Sequence, residues 1–98
     1  MRKNKDERKQ SILTAALNRA RIVGYTKVTK EHVAETLQCS PGLIVHHFGN
    51  MNAFRRAIMG EAIRVTDLTV IAQGISVGDT RALGASQEVR TRALKSLL

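Results

Sequence analysis

Apolar residues recur along this chain at steps of three and four, and no stretch alternates in the manner of a strand. Ile12, Leu13, Ala16, Leu17, Ala20 and Val23 line one face of a helix predicted over residues 6–22. Gly24 is its stop, because glycine takes positive φ at little cost, and Tyr25 opens a connection. Thr29 is the expected N-cap of a helix over 30–37, with Glu31 in its positively polarised first turn and Val33, Ala34 and Leu37 facing inward. Gln38, Cys39 and Ser40 form a turn. Ser40 then caps a third helix over 41–47, opened by Pro41, whose missing N–H costs nothing at that position. Ile44 and Phe48 are expected to point into the core.

Asn50 or Asn52 caps the next helix. Phe54, Ile58, Ala62, Val65, Leu68, Ala72 and Ile75 keep the helical step and predict one long helix to about residue 73. Gly60 weakens it by ~1 kcal/mol relative to alanine. Residues 76–85, with Gly78 and Gly84, predict a turn holding a short helical piece. Ser86 caps a last helix whose apolar side is Val89, Ala93, Leu94 and Leu97. The pattern implies a small all-α fold of five or six helices. Its expected core is Ile12, Leu13, Ala16, Leu17, Val33, Leu37, Ile44, Phe48, Phe54 and Ile58. Residues 1–60 form the expected helix-turn-helix domain, and residues 61–98 a short helical extension.

At 98 residues and 43% hydrophobic, the chain can close one core without disulfides or metals. Cys39 is the single cysteine, and with three scattered histidines it makes no zinc pattern. No nucleophile–base pair, carboxylate dyad, metal cluster or phosphate loop stands in the sequence, which argues against an enzyme and against a cofactor. No run approaches ~18 apolar residues and the start of the chain is charged, so a cytoplasmic protein without membrane association is expected.

Charge changes the picture. Sixteen Lys and Arg against eight Asp and Glu give a net +8, which favours polyanions: nucleic acid or an anionic surface. With Tyr25, Phe48 and Phe54 as the only aromatics, stacking-based single-strand or RNA binding is disfavoured. Residues 24–48, GYTKVTKEHVAETLQCSPGLIVHHF, put two short helices around a three-residue turn, the arrangement that lays a second helix in the DNA major groove. Residues 1–9 carry five basic side chains and read as a loose arm running into the first helix, either touching phosphates or the minor groove or simply solvated.

Residues 8–63 resemble the DNA-binding domain of the TetR-type bacterial repressors. The matching residues are Ile12, Leu13, Ala15 and Ala16; Gly24-Tyr25 and Val28-Thr29; Val33, Ala34 and Leu37; Ser40-Pro41-Gly42-Leu43-Ile44; His47-Phe48; and Asn50 with Phe54. The resemblance implies that Pro41, Leu43, Val45 and His46 read bases, within a motif that includes Gly42. Leu43 and Val45 would meet thymine methyl groups, or else serve as packing residues. His46 would donate to a guanine or a phosphate, and His47 to a phosphate. Thr29, Lys30 and Ser40 stand at helix starts whose exposed N–H groups attract phosphate.

The chain departs from that family in three ways. Val45 stands where a tyrosine is usual and Met51 where a lysine is usual, so the ordinary phosphate clamps are missing; Arg55 and Arg56 are their candidate replacements. The family's large inducer-binding domain has no counterpart in residues 61–98, so no small-molecule inducer is expected. The chain resembles a stripped-down regulator of the sort that phages and mobile elements encode. With no Lys or Arg between Glu31 and Phe54, base readout is thin, which calls for a homodimer or a higher assembly on double-stranded DNA. Leu68, Ile71, Ile75, Val89, Leu94 and Leu97 are the expected contact surface. The competing reading is an adaptor that turns its basic face to an acidic host or polymerase protein.

Overall fold

The structure is a computed structural model and describes residues 4–98, so Arg2 and Lys3 of the expected arm lie outside the described residues. The described part is wholly helical. α1 runs Lys5–Val23, followed by a 3₁₀ turn Tyr25–Lys27, α2 Lys30–Leu37, α3 Pro41–Phe48, α4 Met51–Arg64, α5 Leu68–Ser76, α6 Thr80–Leu83 and α7 Gln87–Lys95. α1 thus starts one residue before the expected bound, and residues 5–9 are the turns of helix into which the arm was expected to run. No helix among the described residues is long and apolar enough to cross a membrane.

Local chemistry accounts for most of the boundaries. The Asn4 side chain accepts from the Glu7 N–H at 2.8 Å and starts α1. Gly24 ends α1 at φ 93°. Thr29 caps α2, accepting from the His32 N–H at 3.2 Å. Asn50, rather than Asn52, caps α4 through the Ala53 N–H at 2.8 Å. Ser86 caps α7 through the Val89 N–H at 3.2 Å. Ser40 occupies the cap position of α3, but its side chain makes no capping bond, contrary to expectation.

The long helix expected to residue 73 does not form. α4 ends at Arg64, Thr66 turns left-handed at φ 56°, and Asp67 caps a separate α5 through the Val70 N–H. An unbroken helix over 51–73 would be about 35 Å long, carrying the apolar residues of 68–73 away from α1 and α7, on which they pack in this fold. The break folds α5 back onto α1, α4 and α7. Asp67 fixes it further by an ion pair with Arg21 of α1 at 2.7 Å. Val65, expected on the stripe, is 44% exposed at the break. The split, with the one-turn α6, raises the count among the described residues to seven α-helices rather than five or six.

Ile12, Ala16, Leu17, Val33, Ile44, Phe54 and Ile58 are buried as expected, whereas Leu13, Leu37 and Phe48 sit half-buried at the rim. Tyr25, Val28, Met59, Val70, Ile71, Ala82 and Ala93 join them in one cluster, so the core runs unbroken past residue 60, which lies inside α4. Between α1 and α4 the buried Glu61 carboxylate accepts from Gln10 Nε2 at 2.6 Å and from Arg64 Nε and Nη2 at 2.7 Å each. Those bonds, the Arg64 one foremost, hold the carboxyl below the usual range.

α4, α5 and α6 meet at Gly74, where a Cβ would lie 2.5 Å from Met59 Cε and 2.6 Å from Ala82 Cβ. Gly74→Ala is therefore expected to destabilise the fold by about 1–3 kcal/mol through overpacking, although alanine is the better helix former. Urea denaturation checks this; an unchanged or raised midpoint would show that Met59 moves aside freely.

Candidate nucleic-acid interface

α2 and α3 pack on each other across the turn at Gln38, Cys39 and Ser40. Gln38 takes the left-handed conformation at φ 56°, and the Cys39 N–H bonds the Ala34 carbonyl at 2.9 Å, satisfying the end of α2 while redirecting the chain. Ile44 and Phe48 stand one turn apart on the inner side of α3, Ile44 fully buried and the Phe48 ring tilted against Phe54 with centroids 5.1 Å apart. That anchoring fixes what α3 presents outward. At 100° per residue its crest is Gly42 and His46, both exposed, with Leu43 and Val45 on the two shoulders. Val45 is 40% exposed, and Leu43 and Pro41 are half-buried. His46 is therefore the one polar side chain on the crest, among apolar shoulders suited to thymine methyl groups.

Gly42 is not demanded by the fold. A Cβ there would meet only Ser40 Oγ, at an ordinary 3.8 Å, and its φ lies outside the glycine-only region. Its missing side chain leaves the first turn of α3 bare for close approach.

The remaining predicted residues divide into those near this crest and those directed elsewhere. The Thr29 hydroxyl is occupied, capping α2 and contacting His32 Nδ1 at 2.9 Å. Lys30 beside it is half-buried, and Ser40 is exposed. Arg55 lies close enough to the Tyr25 hydroxyl to act on its ionisation; its Nη1 donates to Asn52 Oδ1 at 3.5 Å and its Nε is shielded without a partner. Arg56 is exposed, and its carbonyl accepts from Arg81 Nη1 at 3.1 Å.

His47 is the least expected. It is half-buried, and both ring nitrogens are shielded without a hydrogen-bond partner. Desolvation first, then the charges of His46, Lys9, Arg8 and Lys5, push its pKa below the ordinary histidine value, so it is neutral at pH 7. A phosphate reaches its nitrogens only after neighbouring side chains give way. Lys5, Arg8 and Lys9 among the charges acting on it come from the first turns of α1, residues counted with the arm in the sequence. The signal available was the spacing of Lys5, Arg8, Lys9 and Ile12, which puts all four on one helical face.

The expected self-association surface also changes. Ile71 is fully buried, while Leu68, Ile75 and Val89 pack partly against the core. Val77, Leu94 and Leu97 remain well exposed, at 61%, 46% and 60%. Comparisons with protein-family models, with curated proteins and with solved structures find no match to this chain.

Proposed function

We propose that the chain is a small transcriptional regulator of the TetR-like helix-turn-helix kind, acting in the cytoplasm and binding double-stranded DNA by laying α3 in the major groove. The observation that carries this reading is the exposed crest of α3, held rigidly by Ile44 and Phe48 and stripped of a side chain at Gly42 where packing asks for none. The net charge of +8 supplies the sequence-independent attraction. His46 and Leu43 are the base readers, and Lys30 holds backbone phosphate. The role is binding, without catalysis or a small-molecule inducer.

One such crest discriminates poorly, and a regulator needs a large ratio over random sites. Two copies would supply it. Joined through the exposed Val77, Leu94 and Leu97, they would read half-sites one or more helical turns apart.

Selection of bound sites from a random duplex pool tests the reading, with Gly42→Ala as the discriminating variant. Alanine should stabilise α3 by up to ~1 kcal/mol while weakening duplex binding. Leu43→Ala and His46→Ala should each alter the preferred base at one position, by ~1–3 kcal/mol. A two-fold repeated motif would report the dimer. Absence of salt-dependent binding to any duplex, with capture of an acidic protein intact, would replace this reading with the adaptor.

A further inference from the structure

The inward stripe of α1 continues beyond the core. Lys5, Arg8 and Lys9 precede Ile12 at helical spacing, so three cations extend the row that Ile12 occupies in the core, while Asp6 and Glu7 fall on other sides. Arg8 and Lys9 are half-buried. Lys9 Nζ stands 5.9 Å from the centre of the Phe48 ring, which brings this end of α1 against the end of α3. The ion pairs among the described residues are Arg21–Asp67 and Arg64–Glu61, so no carboxylate neutralises the three cations. Beside them lies His47, its two ring nitrogens shielded and unpartnered. Like charges gathered around an unsatisfied imidazole are unfavourable in the free protein; an anion relieves the first cost directly, and the second once the side chains that shield the ring give way.

We infer that Lys5, Arg8, Lys9 and His47 form a phosphate-binding edge that grips the DNA backbone beside α3, supplying the positive charge that α3 itself lacks. The phosphate source rests on the duplex-DNA reading above; the anion chemistry does not. Facing His47 are Lys5, Arg8 and Lys9 from α1 and His46 from its own helix, all opposing its protonation. A bound phosphate favours protonation instead, so binding takes up a proton and strengthens as pH falls towards the histidine range.

The test is an NMR titration of the three histidine rings, without ligand, with inorganic phosphate and with random-sequence duplex. The wild type is compared with Lys5→Gln/Lys9→Gln and with Lys5→Gln alone, a change at an exposed position that the fold should absorb. In the wild type, phosphate should raise the His47 midpoint. In the double variant the free midpoint should start higher and move less, and the log–log salt slope of duplex binding should flatten by about two units. An unmoved His47 together with an unchanged salt slope, in a wild type that does bind duplex, overturns this inference alone. A wild type that binds no duplex, yet whose His47 responds to phosphate and loses that response in the variant, supports the edge and sinks the DNA reading.

Discussion

Phe54→Ala is expected to remove about 3–5 kcal/mol of stability, the cost of deleting a fully buried aromatic ring and leaving a partly collapsed cavity. Phe54 is 1% exposed and opens the inner face of α4, where it packs with the rest of the core and lies 5.1 Å from Phe48. A small domain holds about 5–15 kcal/mol in total, so the loss takes a large share and can unfold the chain at moderate temperature. Phe48→Ala should cost less, roughly 1–3 kcal/mol, because its ring is half-buried and keeps water on one side. Urea denaturation of both variants gives the comparison directly. Equal losses, or a larger loss at Phe48, would mean that the end of α3 is more deeply packed than its exposure indicates.

Raising the pH from about 10 to 12 should cost the fold about 2 kcal/mol through Tyr25 alone. Its ring is buried, and its hydroxyl donates to Asp79 Oδ2 at 2.9 Å. Burial first, then the hydrogen bond to Asp79 and that carboxylate's charge, push the phenol from 10.0 up to about 12; Arg55 acts in the opposite sense. The folded state therefore holds the proton more tightly than the unfolded state. Below the unfolded value both states keep it, and the contribution is fully present. Between the two values the unfolded chain ionises first, so stability falls with rising pH and the contribution is lost as pH rises through about 12. Tyr25 is the one tyrosine, and the chain has no tryptophan, so tyrosinate absorbance reports this residue without interference. Tyr25→Phe removes the contribution and serves as the baseline for lysines that titrate in the same window. Arg55→Gln should push the midpoint higher still. A midpoint at the ordinary tyrosine value would mean that neither the burial of Tyr25 nor its bond to Asp79 persists in solution.

That bond also marks where local sequence signals stop. Gly24-Tyr25 reads as the end of one helix and the start of a connection, which is correct locally. Nothing nearby in sequence indicates that the Tyr25 N–H bonds Gln73 Oε1 at 2.9 Å, that Gln73 Nε2 bonds the Ala20 carbonyl at 2.9 Å, or that Asp79 takes the hydroxyl. These contacts join residues 48 to 54 positions apart and tie the 3₁₀ turn to α5 and to the start of α6. The α4–α5 break was partly legible. Val65 and Thr66 are β-branched and poor in helices, and Asp67 is a natural cap, yet the apolar step continues through them and favours one helix. Burial decides between the two: with α5 folded back, Val70, Ile71 and Ala72 are out of water, and the Arg21–Asp67 ion pair adds to that.

The same division holds at the candidate interface. The bounds of α2, the turn at Gln38 and the inward position of Ile44 follow from caps, proline placement and spacing, all effects that act within one or two turns. The capping failure of Ser40, the shielded nitrogens of His47 and the direction of Arg55 toward Tyr25 depend on what other helices bring alongside. The sequence by itself determined the helical class, the helix-turn-helix unit and most of the buried face of α1, because periodicity and capping are properties of short segments. Only the tertiary structure decided that α5 folds back, that Ile71 is core rather than contact surface, and that the cations of α1 gather around His47. The physical reason is that burial and charge are set by neighbours in space, and in this fold those neighbours lie about 40 to 55 residues away along the chain.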